Sequence, residues 1–314
     1  MARFVVASDI HHKEMYQDIV DLARDAATDG IVLTGDYVNM HTHGEEALRR
    51  IQQTVQHVQQ SNPESLDQVV GQIFQEGIQA FVHGIQGEYQ SINEILGSYG
   101  GDIIAIDGNH DIPAIARESM SNAHFIDPGD VYTFKGIKFG SVVNCSQTPR
   151  SFGQLSDIAE RVRIPLNKFM DHMDPADYSK NDARVAMGIS NGRPDILLAH
   201  REVESEVRQG ESGSLNSGPE IARYWREHGT SQWHGHNHGQ LPFVNIGGGS
   251  IPIRVEGNKR SIRTVPDSVW IVDVDDVTKR EKEYIYYKRQ GEYNGVWYFF
   301  EDYKEIGGHS YSIN

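Results

Sequence analysis

The chain carries a single cysteine, Cys145, among its 314 residues. One thiol excludes an intrachain disulfide framework, argues against a thiolate metal site and makes a reducing compartment the expectation. Cys145 itself reads as a small buried residue at a strand end. Long apolar runs are also missing: no window approaches the ~18 consecutive apolar residues of a membrane-spanning helix. The opening stretch MARFVVASDIHH turns polar after a short apolar run, so it reads as neither a signal peptide nor an anchor. A cytoplasmic protein with no membrane partner is expected. Positive charge is scarce. The 29 Lys and Arg residues stand against 44 Asp and Glu, a formal net charge of -15, which repels polyanions and disfavours tracking along extended nucleic acid. Internal repeats and linker-like stretches are absent, so the length is read as one decorated α/β domain over 1–314.

What is present is ordinary globular material, with 38% hydrophobic and 23% charged residues. Phe4 to Ala7 is a short apolar run ending in Ser8-Asp9, and Ile19, Leu22, Ala23 and Ala26 follow at helical spacing. Ile31 to Leu33 is a second run, closed by Thr34-Gly35-Asp36, so the first unit is βαβ. The pattern recurs at Asp102 to Ile106, before Asp107-Gly108-Asn109-His110-Asp111, and at Ile196 to Ala199, before His200. A helical hairpin insertion is expected over about 45–86, broken at Ser61-Asn62-Pro63. Two strands around a tight turn are expected within 131–143, a buried strand at 269–274, and a peripheral C-terminal extension over about 276–314, its Tyr-rich part a strand pair. Residues 146–193 give no firm pattern.

The chemistry sits in the polar clusters that end the apolar runs: Asp9-x-His11, Gly35-Asp36, Gly108-Asn109-His110-Asp111, His200, and Gly235-His236-x-His238. The carboxyl edge of strands is where open α/β sheets bind ligands. Carboxylate and imidazole groups suit hard or borderline divalent ions. Asp-x-His and His-x-His are weak signals singly; the whole ordered set after successive strands is not.

In that ordered set the chain resembles the calcineurin-like metallophosphoesterases, whose pattern is D-x-H, G-D, G-N-H-[DE], H and G-H-x-H, over roughly residues 4–250. The resemblance implies a four-layer α/β/β/α sandwich with two divalent ions at the strand ends, manganese or iron with manganese, with zinc as a further option. One ion would take Asp9, His11 and His238, the other Asn109, His200 and His236, with Asp36 bridging. His110 would face the substrate as a proton donor, beside Asn109, and Asp111 would orient the His110 ring. The implied reaction is hydrolysis of a phosphodiester or phosphomonoester, small or nucleotide-like, by in-line attack of a metal-bridging hydroxide. The alternative is a non-catalytic metal-binding scaffold on the same fold. Oligomeric state is not encoded in any pattern found.

Other candidates rank lower. Asn39 stands where the family often has Asp or Asn, which suits a hydrogen bond to the metal cluster. His41 and His43, in an expected loop at the site edge, read as surface histidines, and His12 and His234 as neighbours of ligands that point elsewhere. The fourth motif block reads Ala199-His200-Arg201-Glu202, without the His pair followed by Pro of the family's cyclic-nucleotide hydrolases, so their substrate does not carry over directly.

Overall fold

Short runs of Val, Ile and Leu in this chain become strands covered on both faces, the pattern of parallel sheets. In the computed structural model, which describes residues 1–11, 13, 15–62, 64, 66–108, 110–142, 182–200, 219–228, 230–235, 246–247, 268–279, 281–292 and 296–306, β1 (Ala2–Ala7), β2 (Gly30–Leu33) and β3 (Asp102–Ala105) run parallel. Their register sets Val5 beside Ile31 and Ile31 beside Ile103. β4 (His124–Phe125) closes one edge. The second sheet holds β5 (Val131–Phe134), β6 (Ile137–Val142), β7 (Ile196–Ala199), β8 (Ser231–His234) and β9 (Ile246–Gly247), in that order and parallel from β6 onward. Lys135 and Gly136, both left-handed, make the tight β5–β6 turn that a two-residue hairpin requires. β10 (Ser268–Val274) pairs antiparallel with β1, and β11 (Glu281–Glu292) and β12 (Val296–Ile306) extend the first sheet beyond it.

Three apolar cores make four layers. Phe4, Val6, Val32, Ile104, Trp270 and Val272 of the first sheet meet Phe139, Ile196, Leu198 and Trp233 of the second. The Phe4 and Phe139 rings meet edge to face at 5.4 Å, and Phe139 and Trp233 at 5.6 Å. Each such side chain removed from water contributes about 1.5–3 kcal/mol. The other face of the first sheet, with Val5, Ile31 and Ile103, carries α1 (Met15–Asp25), α3 (Leu66–Gly97) and α4 (Pro113–Ser119) through Ile19, Tyr89, Ile92 and Ile115. The outer face of the second, with Val142, Leu197 and Ala199, carries α5 (Asp182–Gly192) and α6 (Pro219–His228). The result is an α/β/β/α sandwich.

The helical run expected near 45–86 is longer at both ends. α2 (Met40–Ser61) begins at once after Asn39, and α3 continues to Gly97 because Tyr89, Ile92 and Leu96 prolong its buried stripe along the first sheet. α2 packs on α3 through Leu48, Ile51, Phe74 and Ile78. The two backbones approach so closely at Gly77 that a methyl there would overlap Ile51. Among the described residues no helix is long and apolar enough to cross a membrane.

Candidate metal centre

The polar clusters follow the carboxyl ends of β1, β2, β3, β7 and β8, and the loops that carry them are pinned together by backbone. Asp9, His11 and Asp36 have φ of 55°, 55° and 58°, left-handed values that Asp and His tolerate better than most residues and that carry strain of about 1–3 kcal/mol each. The Asp9 N–H donates to Gly35 O at 3.0 Å and the His11 N–H to Asp36 O at 3.2 Å. Gly35, at φ 100°, lies so close to Gly108 that an added Cβ would come within 2.5 Å of Gly108 Cα. Gly108 in turn leaves no room for a methyl against Asp36, nor does Gly235 against Ser8 and Asp9. The Gly235 N–H donates to His200 O at 2.9 Å, tying the second sheet's loops together.

Asp36 is the centre of the arrangement. Its Oδ2 lies 3.3 Å from His200 Nε2, 3.8 Å from His11 Nε2 and 3.9 Å from His110 Nε2, while its Oδ1 accepts from the His110 backbone N–H at 2.8 Å. The His11 and His110 rings stand edge to face at 5.3 Å. Asp9, Asp36 and His200 are all buried, and each offers a ligand atom within 4.8 Å of the others. Two histidines are oriented by carbonyls: His200 Nδ1 donates to Thr34 O at 2.8 Å and His11 Nδ1 to Val38 O at 3.2 Å. A carbonyl only accepts, so Nδ1 holds the proton and Nε2 keeps the lone pair a metal would use.

The electrostatics point the same way. Burial opposes charge on Asp36, but His200, then His110 and His11, outweigh it and hold the carboxyl well below the usual range. Burial likewise opposes charge on His200, yet Asp36 and then Asp9 raise its pKa to about 10. Two buried carboxylates thus demand positive charge between them, which a proton on His200 or a divalent cation supplies. The donor set, carboxylate oxygen and imidazole nitrogen in a buried pocket at strand ends, fits a hard or borderline cation.

Asp111 does not orient the His110 ring. Its Oδ2 accepts from the backbone N–H groups of Asp36 at 2.7 Å and Gly108 at 2.8 Å, and its Oδ1 from Tyr37 N–H and the Tyr89 hydroxyl, both at 3.0 Å. The carboxylate faces the backbone of the metal loops because the chain curls from β3 toward β2 around it. Burial, then the charge of Asp36, pushes its pKa up to about 7 against the pull of those donors. Next to it, Asp107 is buried and paired with Arg117 of α4 at 2.6 Å, and Arg117 also bonds Asp127.

Of the other expected residues, Asn109, His236, His238 and His12 lie outside the described residues. Asn39 bonds none of the described members of the cluster. It caps α2, its Oδ1 accepting from Thr42 N–H at 3.2 Å. His41 and His43 are in the opening turns of α2 rather than in a loop, and His43 is half-buried against Glu88 of α3. His234 ends β8, its Nδ1 against Gly235 O at 3.3 Å. Sequence reasoning passed over the carbonyls of Thr34 and Val38 and the tyrosines Tyr37 and Tyr89. Carbonyl partners leave no mark on residue identity, and neither tyrosine belongs to one of the metal-ligand motifs.

The calcineurin-like phosphoesterase family model matches residues 2–240. No curated protein matches the chain. Two crystal structures are similar at low identity: one at 10% identity and TM-score 0.46, covering 89% of this chain and 97% of its own, and that of TT1561 of Thermus thermophilus, at 11% identity and TM-score 0.41, covering 89% and 96%. With three quarters of its length matched by the family model and its two-sheet sandwich carrying the buried Asp9, Asp36 and His200 at the strand ends, the chain belongs to the calcineurin-like phosphoesterase family.

Proposed function

We propose that the chain hydrolyses a phosphomonoester or phosphodiester using two divalent ions, manganese or iron with manganese, which Asp36 would help to hold. The observation that carries this reading is the convergence of His200, His11 and His110 Nε2 on Asp36 Oδ2 at 3.3, 3.8 and 3.9 Å, with two of the rings oriented by carbonyls. Asp9, His11 and His238 would hold one ion, and Asn109, His200 and His236 the other. Bound ions would acidify a water toward a pKa of ~7 and offset charge on the phosphoryl group.

The chain's own side chains do the rest. Asp36 is fixed by the backbone bonds around it, so the distance between the two ligand groups does not drift with solvent. His110 keeps 19% of its side chain exposed, as does His11, whereas His200 is sealed. The exposed ring can meet substrate, hold a proton on Nε2 beside Asp36 and deliver it to the leaving oxygen. A small or nucleotide-like ester suits the acidic chain better than a long polyanion, and the lone cysteine supports a reducing, cytoplasmic setting.

The test is hydrolysis of bis-p-nitrophenyl phosphate and p-nitrophenyl phosphate by chelator-stripped protein reloaded with manganese, beside Asp36→Ala and His110→Ala. Metal-dependent turnover lost in both variants is expected, by about 10²-fold or more for His110→Ala. Turnover indifferent to metal or to both substitutions overturns the reading. Metal uptake with no turnover of any ester favours the non-catalytic scaffold instead.

A further inference from the structure

The α2–α3 pair has a feature that packing alone does not call for. Tyr89 of α3 is fully buried, yet its hydroxyl is aimed at the metal loops: it donates to Asp111 Oδ1 at 3.0 Å and accepts from the Ile112 N–H at 3.2 Å. Asp111 takes that proton together with the backbone N–H groups of Asp36, Tyr37 and Gly108. Those three donors belong to the two loops that carry Asp36 and His110. Asp36 sits there in a left-handed conformation that it does not favour unaided. A buried hydrogen-bond donor left without its acceptor is costly.

We propose that Tyr89 is a positioning residue for the metal centre: through Asp111 it fixes the backbone of Asp36 and Gly108, and so couples the α2–α3 pair to divalent-ion affinity. The residue preceding it, Glu88, is bound to His43 of α2, four positions after the Asn39 cap. Both helices are therefore locked to each other at the level of the site. A phenylalanine at 89 would keep the ring in the same buried core, edge to face with Tyr37, and would remove only the hydroxyl. The Asp111 carboxylate would then lose one of its four donors and the Ile112 N–H its acceptor. The Asp36 loop would lose rigidity at a point remote from any ligand atom.

This inference rests on the metal-dependent reading of the site. The experiment compares Tyr89→Phe with wild type and with Tyr99→Phe, which loses the hydroxyl bond to Thr28 O of 2.7 Å at the far end of α3 and serves as a control for stability alone. Manganese affinity is measured by titration calorimetry, melting temperature by circular dichroism, and kcat and KM on bis-p-nitrophenyl phosphate. Tyr89→Phe is expected to melt a few degrees lower, to bind manganese about tenfold more weakly and to lose kcat at saturating metal, while Tyr99→Phe melts lower with manganese affinity within about twofold of wild type. Wild-type manganese affinity in Tyr89→Phe, or an equal loss of affinity in both variants, overturns the proposal. If wild type binds manganese but turns over no ester, and Tyr89→Phe still weakens binding, the catalytic reading fails and the positioning role stands. A wild type that takes up no ion sinks both.

Discussion

Removing the Asp111 carboxylate should unfold the site before it alters any chemistry. In Asp111→Ala, three backbone N–H groups and one hydroxyl, on Asp36, Gly108, Tyr37 and Tyr89, lose a common acceptor at 2.7 to 3.0 Å. All four lie in or against the first sheet's core, where Tyr37 and Tyr89 are fully buried. A buried donor without its partner destabilises by about 1–3 kcal/mol, so even the lower figure gives a loss of about 4 kcal/mol. That is about a quarter or more of the roughly 5–15 kcal/mol that holds a typical domain folded. Asp111→Asn keeps one acceptor oxygen but turns an amide N–H₂ toward two donors, and should lose roughly half as much. Urea unfolding followed by tryptophan fluorescence measures both, with the slope checked for a change in the unfolded state. If Asp111→Ala stays within about 1 kcal/mol of wild type while its turnover collapses, the carboxylate acts on the His110 ring after all and the backbone account is refuted.

Arg117→Ala leaves the buried Asp107 carboxylate without its guanidinium at 2.6 Å; a loss of about 2–3 kcal/mol is expected in the same urea assay, below the 3–5 of a sealed pair because Arg117 is partly solvated. Arg117→Met, which keeps the stem and drops the charge, should fare no better, and a neutral result for both would contradict the pairing. Gly35→Ala puts a Cβ 2.5 Å from Gly108 Cα at a φ of 100°, so it should lose more than about 3 kcal/mol or fail to fold, whereas Gly71→Ala, with open space around its Cβ, should be neutral or slightly stabilising. Circular dichroism melts of the two alanine variants decide this.

The central strands were legible because they are short, apolar and closed by polar residues, whereas the four-layer sandwich followed from the family resemblance of the ordered motifs. Asp9, Asp36 and His200 were legible for the same reason, each following a buried run. The helices were harder. α4 spans only seven residues, Pro113–Ser119, too few for a period to stand out. The start of α2 was hidden because Met40-His41-Thr42-His43 reads as a polar loop, and only the Asn39 cap, a bond across three residues, reveals the helix. The role of Asp111 was misread for a more general reason. A carboxylate adjacent to a histidine suggests an ion pair, but its true partners, Asp36 and Tyr37, lie 75 and 74 positions away. Such partners are set by how β3 returns beside β2, which residue identity does not record. Tyr89 illustrates the same limit, since its ring belongs to the α3 stripe and its hydroxyl to the site.

The most direct test of the central claim is a crystal of the manganese-loaded protein measured across the manganese absorption edge. An anomalous peak is expected at ligand distance from the Asp36 carboxylate and Asp9 or His200, with a second peak ~3.5–4 Å from the first, both lost in Asp36→Ala. Well-ordered electron density for Asp9, Asp36 and His200 with no anomalous peak among them, in protein saturated with manganese, would contradict it.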